Sequence, residues 1–435
     1  MKHTSLFLLT AFFFSIARAT YYCNSSSTCP DDYPCCSQYG ECGTGNYCLG
    51  GCDPRFSYNI SSCMAMPVCR DIDTNFTSLD ILEDSSYYLG NSSESDWIYS
   101  GYLLEYEDSL VLAMPNQSTG TVVSSTFYVW YGKVSARFRS SRTAGVVSSF
   151  ILFSNAQDEI DVEFVGSELK QTQTNFYFEG ILNYTNGLYL NTSNTFSEWH
   201  DYEVDWTEDE ITWYIDGEEK RTLRKEDTYN DTSDTYMFPQ TPSRIQFSLW
   251  AGGDSSNAAG TIEWAGGEID WDAEDLTDPG YFYSMLQSIS VECYDPPSYT
   301  NQKGSKAYVY NSSSEFLSEN IEITNDRTYL YSYEGSGLDP DAGKVSSSST
   351  SKSSSKTKSK TTSYKKTTVT SSGKTEVLST AVTSTIVDDG NFYQSAEGTG
   401  STSQTDGASS KNEATPMQNS LLGLTSLFLG ILMII

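Results

Sequence analysis

The run Asp158-Glu159-Ile160-Asp161-Val162-Glu163-Phe164 alternates acidic and apolar residues with a period of two. A β-strand sorts such a run onto two faces, because successive side chains point in opposite directions. Glu159, Asp161 and Glu163 share one face; Ile160, Val162 and Phe164 share the other. The apolar face suits a core. The polar face carries three neighbouring carboxyl groups, each opposing ionisation of the next. The same alternation recurs through residues 70–300, which are rich in Tyr, Trp, Phe, Val and Ile, with turns at Asp216-Gly217, Gly252-Gly253 and Gly266-Gly267. No long helical period interrupts it. The expectation is an all-β sandwich with one substantial core.

The crowded carboxyl groups would be an ordinary solvated strand if they stood alone. Clean apolar alternation and an aromatic neighbourhood favour a site instead. The chain has two histidines, His3 and His200, and His3 lies in a segment expected to be removed. That leaves no evident Ser-His-Asp or Cys-His machinery and no His-rich zinc site. No metal and no cofactor are expected, and the cysteines read as structural. Carboxyl groups must then carry the proton transfers. Neighbouring acids with split pKa values supply one ionised nucleophile and one protonated acid, the pairing that retaining glycoside cleavage uses.

Residues 1–19 form a basic start, an apolar run from Leu6 to Ile16 and Ala17-Arg18-Ala19, which reads as a secretory signal peptide. At the other end, the small residues Gly407-Ala408-Ser409, a polar spacer and the apolar run Leu421 to Ile435 read as a GPI-attachment signal, in preference to a tail-anchoring helix. Gly407 or Asn412 is the expected attachment site, with 411–435 as propeptide. N-glycosylation sequons stand at Asn24, Asn59, Asn75, Asn91, Asn116, Asn183, Asn191, Asn230 and Asn311. A formal net charge of −31 argues against nucleic-acid binding. The reading is an extracellular, membrane-anchored chain in a disulfide-permissive compartment. Residues 20–69 contain nine of the ten cysteines and need staples rather than a core. Residues 343–410 are dominated by Ser, Thr, Lys and Gly, and are expected to be a disordered, O-glycosylated stalk. Residues 301–342 are left as an extension of uncertain character.

Within the cysteine-rich segment, Cys35-Cys36-Ser37-Gln38-Tyr39-Gly40-Glu41-Cys42-Gly43 followed by Tyr47-Cys48 resembles the hevein-type chitin-binding module. The resemblance implies the disulfides Cys23–Cys36, Cys29–Cys42 and Cys35–Cys48. Cys52, Cys63, Cys69 and Cys293 remain to pair among themselves. The expected bonds are Cys52–Cys63 and Cys69–Cys293, although spacing alone does not prove connectivity. Ser37, Tyr39 and Tyr47 match the serine and aromatic platform with which such modules hold N-acetylglucosamine. Glu41 stands where a second aromatic is common. The module is expected to target chitin and to be dispensable for the chemistry.

The run from Asp158 to Gly166 resembles the signature of glycoside hydrolase family 16, whose fold is a concave β-jelly roll. Supporting stretches are Tyr131 to Arg137, Thr174 to Tyr177, His200 to Trp206, Ile211 to Gly217 and Gln246 to Gly253. With the hevein-like front and GPI-like tail, the whole chain is similar to the fungal Crh cell-wall transglycosylases. That resemblance implies Glu159 as nucleophile, Glu163 as general acid/base and Asp161 as the helper between them. Gln246, Ser248 and Trp250 alternate on one strand face. Gln246, Trp250, Thr261, Trp264, Arg137, Asn175 and Tyr177 are the expected sugar-binding residues, with Gln173 and Glu263 nearby. Trp213 is assigned to the core, and His200 to a structural role.

The resemblance further implies a monomer that takes chitin as donor and β-1,6- or β-1,3-glucan as acceptor, located at the cell wall and the outer face of the plasma membrane. A retaining hydrolase that does not transfer, and a non-catalytic polysaccharide-binding wall protein, are the alternatives. No residue pattern separates transfer from hydrolysis.

Overall fold

The computed structural model describes residues 20–344, and the backbone alone of 364–371 and 374–381. The segments expected to be a signal peptide and a GPI signal lie outside the described residues. Of the expected stalk, Gly343, Lys344, Tyr364–Ser371 and Lys374–Ala381 are described. Tyr364–Ser371 and Lys374–Ala381 form an antiparallel hairpin, and its second strand pairs with Tyr102–Tyr106. The composition did not predict that pairing.

Two sheets face each other. The first runs in the order Leu188–Asn191, Gln171–Tyr177, Glu159–Val165, Val146–Ser154, Ser243–Ala251, Gly120–Ser125, Trp97–Ser100 and Leu82–Asp84. The opposing sheet includes Glu218–Arg224, Glu210–Ile215, His200–Trp206, Gly132–Arg139, Tyr281–Cys293, Ser109–Pro115 and Tyr102–Tyr106 in that order. The strands are β-branched and aromatic, as pleated, half-buried surfaces prefer. Ile160, Val162 and Phe164 point inward with Phe150, Leu152, Phe247 and Leu249, and meet Val134, Ala136, Phe138, Tyr202, Val204 and Trp206 from the other sheet. Phe150 and Phe247 stack at 5.0 Å between ring centroids, and Phe138 lies 5.6 Å from Phe164. This is the sandwich that the alternation predicts. Among the described residues α-helix is confined to one short segment, Ala259–Trp264.

All five expected disulfides are present: Cys23–Cys36, Cys29–Cys42, Cys35–Cys48, Cys52–Cys63 and Cys69–Cys293. The last closes a 224-residue separation and ties the exit of the module to the end of the Tyr281–Cys293 strand.

The module is not a free appendage. Leu49, Met64 and the Cys35–Cys48 bond share one apolar cluster with Tyr88, Ile98 and Leu330 of the rest of the chain. Residues 301–342, whose character composition leaves open, supply the mortar. Ala307–Tyr310 and Ile321–Thr324 form a small sheet with Asn301–Gln302 and with Met66–Pro67. Farther on, the backbone amide of Gly45 donates to Gly335 O at 2.8 Å, and that of Gly337 to Ser62 O at 2.7 Å. Composition divides the chain here, whereas tertiary packing joins it.

Candidate active site

Strand register builds the site. Glu159 is paired across the sheet with Tyr177 on one side and Phe153 on the other. The row through Asp161 reads Asn175, Asp161, Ile151, Gln246 and Ser124; the row through Glu163 reads Gln173, Glu163, Ser149, Ser248 and Val122. The face opposite the core is therefore a floor of carboxyl, amide and hydroxyl groups. Asn175 and Tyr177 sit beside the acids, as the sequence predicts, and Gln246 sits two strands away.

One end of this floor has an indole wall. Trp250 stacks on Trp264 with centroids 6.1 Å apart, and Trp264 Nε1 donates to Gln173 Oε1 at 2.7 Å, placing that ring next to the Glu163 row. Trp250 is only 8% exposed, so the more accessible ring of the pair is Trp264, from the short helix. Thr261, on the same helix, is buried with its hydroxyl lacking a protein partner among the described residues.

Arg137 is a correction. It lies on Gly132–Arg139 in the opposing sheet, directly across from Asp201. Its neighbours Ala136 and Phe138 are buried in the core, so Arg137 turns to the outer face. There its Nη1 donates to Asp201 Oδ2 at 3.0 Å and its Nε to Gln287 Oε1 at 2.9 Å. It cannot reach the acids from that sheet. Trp213 is fully buried, and its Nε1 donates to Asp161 O at 3.1 Å, supporting the catalytic strand from beneath. His200 is also buried, with Nδ1 2.7 Å from Asp216 Oδ2 and Nε2 3.2 Å from Ser193 Oγ, which is an anchoring arrangement.

Burial is the largest influence on all three acids, and it disfavours the charged form. It pushes Glu159 up to about 8, assisted by the charge of Glu163 and opposed by a hydrogen bond from Asp161. Asp161 is held well above the usual carboxyl range by burial, then by the Glu159 charge and that same hydrogen bond. Glu163 is raised by burial and then by Asp161. Asp161 thus stays protonated and donates a hydrogen bond to Glu159, which is the first of the pair to ionise. Glu163, the most exposed of the three, keeps its proton as an acid.

These shifts have a stability consequence. A carboxyl whose folded pKa is raised stabilises the fold fully below its unfolded value, about 4.3 for Glu, and loses that contribution as pH rises through the folded value. For Glu159 the window therefore runs from about 4.3 to about 8. Melting temperature is expected to fall across it, and Glu159→Gln to flatten the fall and to raise melting temperature near pH 8. A variant with the wild-type slope would contradict the assignment.

Sequence reasoning missed Asp158. Its side chain is fully buried and points away from the trio. Asp158 Oδ2 accepts from the backbone amides of Gln240 (2.9 Å) and Thr241 (3.0 Å) and from Thr241 Oγ1 (2.7 Å), and Oδ1 accepts from the amide of Glu179 (2.9 Å). It pins two segments, Gln240-Thr241 and Glu179, around the start of the acidic strand. Arg221 was missed too: it donates to Thr174 O and Asn186 O and stacks 4.5 Å from the Trp213 ring. Neither carries a local signal, because their partners are far away in sequence.

Residues 91–266 match glycosyl hydrolases family 16. Congo red hypersensitive protein 2 of Saccharomyces cerevisiae is 53% identical over 349 residues, covering 79% of this chain and 75% of that protein. Crh-like protein UTR2 of Candida albicans is 53% identical over 343 residues, covering 77% and 73%. Among solved structures, Crh5 transglycosylase in complex with NAG superposes with a TM-score of 0.50 at 29% identity, covering 62% of this chain and 99% of that one. A carboxyl trio on one sheet face of a jelly roll, joined to 53% identity over more than three quarters of the chain, places the chain in glycosyl hydrolases family 16, within its Crh branch of cell-wall transglycosylases.

Proposed function

We propose that this chain cleaves chitin with retention and transfers the freed end to β-1,6- or β-1,3-glucan. The observation that carries the proposal is the proton-sharing pair Asp161–Glu159, with protonated Glu163 on the same strand face. Glu159 attacks the anomeric carbon while Glu163 gives its proton to the leaving oxygen. The glycosidic C–O bond breaks and an ester bond to Glu159 forms. Glu163, now ionised, takes the proton of an incoming sugar hydroxyl, whose oxygen displaces Glu159. The new linkage keeps the original stereochemistry. No ATP is consumed, because the ester conserves the energy of the broken bond. Asp161 steadies the charge on Glu159 each time it is released. A donor carrying acetamido sugars agrees with the NAG bound in the Crh5 neighbour.

The test is incubation with a chitin oligosaccharide and a fluorescently labelled glucan acceptor, with products sized. Labelled products larger than the acceptor are expected. Release of shortened chitin alone would instead mark a hydrolase.

Trp264 is the sugar platform in this reading. Trp264→Ala should lower kcat/KM for the donor roughly tenfold, about 1–2 kcal/mol, the order of one aromatic contact. A lowered melting temperature with unchanged kinetics would reassign the ring to packing.

The same reading places the protein outside the cell, glycosylated and held by a GPI anchor at Gly407 or Asn412. Mass spectrometry of the wall-extracted protein should recover no peptide from Leu421 to Ile435. Recovery of such a peptide would rule out the anchor.

A further inference from the structure

Arg244 and Gln246 project from Ser243–Ala251 onto the same sheet face as the acids. Gln246 is in the Asp161 row, two strand spacings or about 10 Å away. Arg244 is in the Glu159 row, beyond Phe153. Both are buried. What buries them is the cysteine-rich module. Gln38 Oε1 accepts from Gln246 Nε2 at 3.2 Å and from Arg244 Nη2 at 3.3 Å. The Gly50-Gly51 loop closes over them so tightly that a Cβ on Gly50 would lie 2.0 Å from Arg244 Nη1, and one on Gly51 2.3 Å from Gln38 Oε1. A side chain on Gly50 would have to displace the Arg244 guanidinium, and Gly51 has a φ of 83°, a left-handed conformation that favours glycine.

A second set of contacts holds the module against the loops beside the start of the catalytic strand. Gly51 N donates to Asn155 Oδ1 at 3.1 Å. Gln157 Nε2 donates to Asp53 Oδ2 at 3.1 Å, and Arg55 Nη1 to Glu179 O at 2.6 Å. Arg55 is itself held by Asp53 in a buried pair at 2.7 Å. The module is therefore fixed at the Glu159 end of the floor, and the indole wall stands at the Glu163 end. Ser37-Gln38-Tyr39, the stretch that resembles an acetamido-sugar binder, is the part turned toward the sheet. Tyr39 is half-buried, with its hydroxyl hydrogen-bonded to Gln38 and Arg244 beside it.

We propose that the cysteine-rich module is one wall of the catalytic cleft, and that Gln38 and Tyr39 contact an acetamido sugar of the donor remote from the cleaved bond. The proposal rests on the transglycosylase reading above. It replaces the picture of a module that brings the enzyme to chitin and takes no part in turnover. The amide of Gln38 is oriented by two donors and is therefore positioned for hydrogen bonding, while the ring of Tyr39 offers an apolar face to a pyranose. Lengthening the donor past the acids then adds contacts on the module.

The experiment measures kcat/KM of the full mature chain on chitin oligosaccharides from dimer to hexamer, with a constant glucan acceptor. Variants are Gln38→Ala, Tyr39→Ala and Tyr39→Phe. The wild type should improve with donor length. Gln38→Ala and Tyr39→Ala should flatten that gain, costing the longest donor roughly tenfold more than the shortest usable one. Tyr39→Phe should keep most of the gain, because the ring remains. An equal loss at every length, with or without a fall in melting temperature, would overturn the proposal by showing a structural role. A wild-type length profile in a variant that no longer adheres to insoluble chitin would overturn it by showing an independent binder. If the wild type makes no transfer product from any donor, the transglycosylase reading fails. Oligosaccharide affinity, measured by calorimetry with the same variants, then decides the wall by the same length dependence.

Discussion

Glu159→Gln should abolish formation of a covalent sugar intermediate on every donor, whereas Glu163→Gln should still load a donor whose leaving group needs no proton. The two residues lie on one strand face and look alike in the sequence, but their surroundings differ. Glu159 accepts a hydrogen bond from protonated Asp161 and is the more readily ionised of that pair, which suits it to the proposed role of nucleophile. Glu163 is raised by burial and by Asp161, with no donor stabilising its charge among the described residues, which suits it to the proposed role of acid. Loss of a general acid is expected to slow natural donors by about 10²–10⁴-fold, and loss of the nucleophile to slow them further. With a strongly activated donor, Glu163→Gln recovers the loading step, and the adduct should map to the peptide holding Asp158 to Phe164. Asp161→Asn should lower turnover and keep product stereochemistry. An adduct elsewhere, an inverted anomer, or identical behaviour of the two glutamine variants on activated donors would reverse the assignment.

The second large effect is on stability. Asp158→Ala leaves three backbone amides without their buried acceptor and removes one of the two partners of the Thr241 hydroxyl, which keeps Ser154 Oγ at 2.8 Å. Each unmatched buried group costs about 1–3 kcal/mol, and partial rearrangement makes about 3–5 kcal/mol a reasonable total. A melting temperature lowered by roughly 10 °C should follow for a domain of this size. Asp158→Asn keeps an acceptor oxygen and should lose less. Turnover per folded molecule should fall too, because the Gln240, Thr241 and Glu179 segments frame the start of the catalytic strand. A variant as stable as the wild type would show that these hydrogen bonds are replaced by water.

Local pattern and tertiary packing divide this protein between them. The alternation in residues 158–164 determined that Glu159, Asp161 and Glu163 share a face opposite Ile160, Val162 and Phe164, because side-chain direction in a strand is a local property. The spacing of Cys35, Cys36, Cys42 and Cys48 pointed, through its resemblance, to pairs that the fold contains. Trp213 was legible as core from its own alternating neighbours, Ile211 and Ile215. Period two assigns parity, but it does not say which sheet a strand joins or which face becomes the cleft. Arg137 has a plausible pattern and ends on the outer face of the wrong sheet, because long-range pairing with His200–Trp206 and Tyr281–Cys293 placed its strand there. Asp158 looked like one more acid in the run, and its partners Glu179, Gln240 and Thr241 are between 21 and 83 residues away. The change of composition near residue 69 suggested two independent parts. Only the folded chain brings Gln38 onto Gln246 and Arg244, more than 200 positions distant, because a contact between two surfaces depends on both shapes at once and leaves no periodic mark on either.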